Sequence, residues 1–404
     1  MLTQLIFAGL IIDSVAGFSD DASIDIKIST VKAILAPIAA DERTSPILHI
    51  KIRVDDRILC LMGCIHAIHS HHDKAIDYFS DAIFKNPKNA KAFIGRGYSK
   101  IMTADSRSAL EDLDEAIRCD PNSSVAFTNR AIAFSFLKQP TEAIAAAKRS
   151  IELAPNEPRP VLALGLCYES NRQYYEANDC FAKILKTHPN DLTALVAMAG
   201  NCEHRGLYSK AVEYYSKALK VRPEAMWITR LRGRALYKNN RLDDAIVDFS
   251  ECIYRNSNDV ESLTCRADLY LVKEEYDSAR IDINDALKIN PNHAMALALR
   301  GSLWMIRKDY PKAIEDLSDA IRADPKCALA YVNRSKSYRV IGLVEKANSD
   351  LEMAKRFGIG AIPALPNSNS SEKSVESSKL NIEPIDAWKT KPQLRMPLNE
   401  YKSR

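Results

Sequence analysis

Between residues 294 and 323 two short apolar stripes stand out from a polar background. Leu297, Gly301 and Trp304 are spaced by four and three, and Ala313, Leu317 and Ala320 repeat that spacing further on. Such spacing lays each set on one face of a helix, so two amphipathic helices are predicted. The polar stretch Lys308-Asp309-Tyr310 between them predicts a tight turn. Asp324-Pro325 predicts where the second helix stops, because proline lacks an N–H and disfavours helical geometry in the residue before it. The product is a helical hairpin.

That hairpin is copied along the chain. Alanine recurs every 34 residues at Ala75, Ala109, Ala143, Ala177, Ala211, Ala245, Ala279, Ala313 and Ala347. Proline follows twelve residues later at Pro87, Pro121, Pro155, Pro189, Pro223, Pro291 and Pro325, with Ser257 and Ile359 in the two remaining places. Two ladders in phase predict nine units, the first from Asp56 to Asn89 and the ninth from Ala328 to Ala361. With the ladder alanine numbered as position 20 of each unit, position 8 is glycine at Gly63, Gly97, Gly165, Gly233 and Gly301 and small elsewhere. Position 24 is large and apolar in every unit except the third, where it is Ala147. A fixed repeat turns length into an open stack in which each unit touches only its neighbours.

A 34-residue helix-turn-helix with small side chains at positions 8, 20 and 27 and proline near 32 resembles the tetratricopeptide repeat. The resemblance implies an all-α fold, a right-handed superhelical solenoid of nine helix-turn-helix repeats. It further implies that the first helices line a concave groove through positions 2, 5, 9, 12 and 13. In the first four units those positions include Cys60, Cys64, Ile94, Tyr98, Ile101, Met102, Val125, Ile132, Phe136, Leu162 and Leu166, an apolar stretch. In the sixth they hold Trp227, Arg230, Arg234, Tyr237 and Lys238, a basic and aromatic patch suited to a carboxylate. The candidate peptide-binding set is therefore Tyr98, Met102, Phe136, Leu162 and Leu166 as apolar anchors, with Trp227, Arg230, Arg234 and Lys238 facing acidic ligand residues. The rival reading is that superhelical coiling buries the apolar stretch against neighbouring units or an N-terminal extension. Chaperone-binding relatives grip a terminal carboxylate with a set that is missing here. Asn129 and Asn333 occupy position 6, but the preceding units offer Ile94 with Tyr98 and Ala298 with Ser302 where that clamp needs lysine and asparagine.

Position 7, usually apolar in this family, is arginine in six units: Arg96, Arg130, Arg232, Arg266, Arg300 and Arg334. Position 23 is aspartate in five of the same six, at Asp112, Asp248, Asp282, Asp316 and Asp350. A half-buried guanidinium needs a carboxylate, so an ion pair between helices is expected, within a unit or to the next. The alternative is a ladder of arginines gripping an acidic ligand.

Composition narrows the function. A net charge of +4 over 404 residues is too small for a dedicated nucleic-acid or anionic-membrane binder, so the expected partner is a protein or peptide ligand. Nine cysteines without a CxxC pair argue against a disulfide framework and for a reducing compartment. Against that, Leu5 to Ile12 is an apolar run ahead of Ser14-Val15-Ala16, a pattern like a signal-peptidase site. No Lys or Arg precedes the run and Asp13 follows it directly, so a buried element of an N-terminal extension is the rival reading. No stretch approaches the roughly 18 apolar residues of a membrane span. His66, His69, His71 and His72 crowd one turn, but zinc needs rings that converge with fixed geometry, and a solvated turn is expected. There is no Walker loop, GxSxG, HExxH or GxGxxG after a strand, so no catalytic residue, metal or cofactor is assigned.

The expected organisation is an extension at residues 1–55 with a candidate signal peptide at 1–16, nine repeats at 56–361, and a disordered tail at 362–404. Within the tail, Ile385-Asp386-Ala387-Trp388 is the segment able to dock. Lys346, Ser349, Glu352 and Lys355 are expected to give the ninth unit a polar outer face. The function expected is a noncatalytic interaction scaffold in the cytoplasm that binds a peptide segment in the concave groove. The alternative is a secretory-pathway co-chaperone holding unfolded polypeptides.

Overall fold

The computed structural model describes residues 55–357, and over them the chain runs as consecutive helix pairs. Unit one pairs α1 (Asp56–Ile68) with α2 (His72–Lys85), unit two α3 (Ala90–Met102) with α4 (Ser106–Cys119), and unit three α5 (Ser124–Phe136) with α6 (Pro140–Leu153). Units four to six are α7 (Pro158–Ser170) with α8 (Tyr174–Thr187), α9 (Leu192–His204) with α10 (Tyr208–Val221), and α11 (Met226–Lys238) with α12 (Leu242–Arg255). Units seven to nine are α13 (Val260–Val272) with α14 (Tyr276–Ile289), α15 (Ala294–Ile306) with α16 (Tyr310–Ala323), and α17 (Ala328–Val340) with α18 (Val344–Arg356). No strand occurs among the described residues. The candidate signal peptide, the remainder of the extension before residue 55, the last residues of the ninth unit and the tail with Ile385–Trp388 lie outside the described residues.

The local sequence explains where each helix begins and ends. Asp55, Asn89, Ser123, Asp191, Asp259 and His293 stand just before a first helix, and each side chain accepts a backbone N–H from its opening turn. Each first helix closes on a left-handed residue at position 15, with φ between 58° and 83° in all nine units. The next N–H folds back across that residue, as from Asp309 to the Trp304 carbonyl at 2.9 Å, satisfying a carbonyl the helix would leave bare. Only Gly206 and Gly342 meet this geometry with glycine. The turn predicted at Lys308-Asp309-Tyr310 is one residue shorter at its far end, since Tyr310 already opens α16 with Asp309 as its cap.

Packing accounts for both ladders. All nine ladder alanines are wholly buried, because α-helices that cross this closely leave room for nothing larger. Phe79 shows the constraint. Its ring would lie 2.8 Å from a Cβ added to Gly63 in its own unit and 2.4 Å from one added to Gly95 in the next. One buried aromatic thus joins two units, at about 2–3 kcal/mol of apolar burial. Each second helix packs on the first helix of its own unit and on that of the following one. First helices of neighbouring units also touch, forming one wall of the stack. Those contacts thin across α7, α9, α11 and α13, and α9 and α11 barely meet.

The expected ion pairs lie within units. Arg96 grips Asp112 through Nε at 3.0 Å and Nη2 at 2.7 Å, and Arg232, Arg266, Arg300 and Arg334 repeat that fork on Asp248, Asp282, Asp316 and Asp350. In four of these the free Nη1 donates to a serine of the preceding unit: Ser80, Ser216, Ser250 or Ser318. One guanidinium therefore ties three helices, which occupies the arginine ladder within the stack. Lys346, Ser349, Glu352 and Lys355 are all exposed on α18.

Candidate interaction surface

The apolar half of the predicted groove divides in two. Tyr98, Leu162 and Leu166 are buried, along with Cys60, Cys64, Ile94, Ile101 and Ile132. Most of them belong to one continuous core, in which positions 5 and 9 of successive first helices pack on each other. Burial pushes the Tyr98 hydroxyl up to about 12, and the His72 ring meets that tyrosine edge-on at 5.6 Å. Met102, Val125 and Phe136, at positions 13 and 2, remain half-buried. Beside them on α5 sits Asn129, 1% exposed, with neither its amide NH2 nor its carbonyl oxygen paired among the described residues. A buried amide left unpaired costs about 1–3 kcal/mol.

The basic half also divides. Nη1 of Arg230 lies 2.9 Å and 3.0 Å from the two carboxylate oxygens of Asp259, with Glu261 at 3.9 Å. Asp259 in turn caps α13 by accepting from the backbone N–H and hydroxyl of Ser262. Arg230 is thus part of the joint between units six and seven. Tyr237 is committed to the same joint, its hydroxyl donating to Asp268 at 3.0 Å. Trp227 is half-buried. Arg234 and Lys238 are exposed and make no ion pair or hydrogen bond among the described residues.

A cluster the pattern reading missed lies on the seam between α7 and α9. Glu169 is 6% exposed, and its nearest counter-charge among the described residues is Nε2 of His204 at 3.8 Å, beyond hydrogen-bond length. Burial, reinforced by the neighbouring Glu203 carboxylate, pushes its pKa up to about 7. Glu203 accepts from the buried Tyr215 hydroxyl at 2.6 Å. His204 stacks on Tyr174 at 5.3 Å, and Asn201 donates to the Tyr174 carbonyl at 2.9 Å while its own Oδ1 stays unpaired. The available signal was glutamate at position 12 in two successive units, where all the other units have no carboxylate.

The crowded histidines lie ring beside ring. The rings of His66 and His71 are 5.9 Å apart and those of His69 and His71 6.5 Å, while His66 stacks on Tyr78. Among the described residues no group of three or more His, Cys, Asp or Glu is placed to hold a metal ion. No helix among them is long and apolar enough to cross a membrane. All nine cysteines are free thiols, and only Cys119 is exposed.

Comparison with known proteins adds the family. Tetratricopeptide repeat models match residues 113–145, 161–191, 203–258 and 266–328. A solved tetratricopeptide repeat protein from Parabacteroides merdae is 17% identical, covering 66% of this chain and 98% of its own, with a TM-score of 0.48. PilF from Pseudomonas aeruginosa is 17% identical over 53% of this chain and 97% of its own, with a TM-score of 0.45. No curated protein matches.

Proposed function

Because the chain is a tetratricopeptide repeat protein, a stack of helix pairs with one wall built from first helices, we propose that it is a noncatalytic scaffold whose wall captures an extended peptide segment of a partner protein. Asn129 carries the reading. Folding normally pairs or hydrates a buried amide, and this one offers an unpaired donor and acceptor, which is what a peptide backbone needs. Phe136 on the same helix and Met102 on the first helix of the preceding unit stand half-buried as apolar anchors, and Arg234 and Lys238 hold charge in reserve for acidic residues further along.

The test is selection of displayed random peptides on the purified full chain, followed by anisotropy titration of a selected peptide against N129A and R234E/K238E. N129A should keep its melting temperature and lose about tenfold in affinity, as befits a polar group placed for a ligand. Failure to enrich any peptide, or equal affinity in both variants, sinks the reading.

A further inference from the structure

The seam around Tyr174 holds more acceptors than donors: the Tyr215 hydroxyl serves Glu203, and no hydrogen bond among the described residues serves Glu169 or Oδ1 of Asn201. Glu169 brings a carboxylate that is nine-tenths buried with no hydrogen bond among the described residues, Glu203 brings a second, and Asn201 adds an unpaired, wholly buried amide oxygen. The neighbouring cations do not satisfy them. Arg205 is turned the other way, onto the Tyr175 ring at 4.6 Å and the side-chain Oδ1 of Asn178 at 3.2 Å. Arg234, from α11, is close enough to act on the Tyr215 hydroxyl yet pairs with neither glutamate. His204 is 48% exposed at the edge, with only its ring standing beside Glu169. Contacts between first helices are also thin here, from α7 to α9 and from α9 to α11.

We infer that this seam is a recognition subsite for a lysine or arginine side chain of the captured peptide. An ammonium or guanidinium supplies only donors and a positive charge, which complements two carboxylates and an amide oxygen. Rotation of the exposed His204 ring off Tyr174 opens the path to Glu169, and Glu203 meets the incoming cation first. Arg234 and Lys238 lie one unit further on, so the ligand's basic residue is followed or preceded by an acidic one. First helices about 10 Å apart, bridged by extended chain at about 3.3 Å per residue, separate those two charges by about three residues. This inference rests on the wall being a peptide-binding surface and adds what chemistry the peptide carries.

The same displayed library separates the two claims. Peptides selected on the wild-type chain should carry Lys or Arg about three residues from Asp or Glu. Selection on E169Q/E203Q should keep the apolar preferences and lose the basic one. A selected peptide should bind that variant at least tenfold more weakly, whereas its Lys→Gln or Arg→Gln version should bind both proteins alike. Both substitutions preserve shape and remove charge, and E169Q alone carries the comparison if the pair fails to fold. Enriched peptides without a basic residue, or equal affinity for wild type and E169Q/E203Q, overturn the subsite and leave the wall intact. No enrichment on any protein overturns the wall and the subsite together.

Discussion

Arg130 pairs with Asp114, sixteen residues before it in the preceding unit, whereas Arg96 pairs with Asp112, sixteen residues after it in its own. The difference follows from one residue. Unit three has Ala146 at position 23, so its arginine has no carboxylate within the unit and reaches back to position 25 of unit two. There Asp114 replaces the serine that other units place under the guanidinium. The joint between units survives, but as an open pair with both partners partly in water.

Exposure should separate the two kinds of pair in double-mutant cycles. In Arg266–Asp282 the aspartate side chain is 4% exposed, and removing one partner strands a buried charge. A coupling of about 2 kcal/mol is expected there by urea unfolding, against less than about 1 kcal/mol for Arg130–Asp114. Equal couplings would show that the buried fork adds nothing beyond surface electrostatics.

Glycines in the first helices should respond unequally to alanine. A Cβ on Gly165 would lie 2.5 Å from the Phe181 ring and 3.0 Å from Cβ of Cys180, both fixed by packing. G165A should therefore cost about 1–3 kcal/mol. At Gly97 the nearest atom is 3.1 Å away, and the gain in helix propensity of about 1 kcal/mol offsets the crowding. G97A should melt within a few degrees of wild type, and a drop matching that of G165A would refute the steric ranking.

The repeat phase made the fold legible, because alanine, glycine and proline ladders report contacts inside one unit, where sequence distance and spatial distance are locked. Position alone pairs Arg300 with Asp316, and the structure joins them at 2.7 Å. Contacts between units depend on how far each unit turns on the last, which no single-unit pattern fixes. The repeat pattern therefore marks Leu162 and Leu166 as ligand anchors although they pack in the core, and Arg230 as a ligand group although Asp259 neutralises it from the next unit. The pairing of Glu169 with the α9 seam was invisible for the same reason.

The two kinds of arginine on α11 give a direct discrimination. R230E would set a new carboxylate against Asp259 and Glu261 and deprive the α13 cap of its partner, so a stability loss of about 3 kcal/mol is expected. R234E/K238E breaks no described ion pair or hydrogen bond, and its melting curve should move far less than that of R230E. If R230E unfolds at the wild-type midpoint, the inter-unit joint assigned to Arg230 is wrong.

Glu169 should make stability depend on pH in an unusual direction for a carboxylate. Its folded value is raised to about 7 from 4.5, chiefly by burial and then by Glu203, so the native state holds the proton more tightly than the unfolded chain does. Below about pH 4.5 both states are protonated and the native state bears no penalty. As pH rises through 7 the native carboxyl must ionise in a buried seam, and about 3 kcal/mol of stability is lost by linkage. The groups facing it are Glu203 and His204 from α9, Tyr174 from α8 and Tyr215 from α10, and none places a cation within 3.5 Å. E169Q carries no such proton. It should exceed wild type in urea resistance at pH 8, with the gap closing as pH falls toward 5. A gap independent of pH, or one that widens in acid, would mean that Glu169 is already ionised and paired in the native protein, and its availability to a ligand cation would go with it.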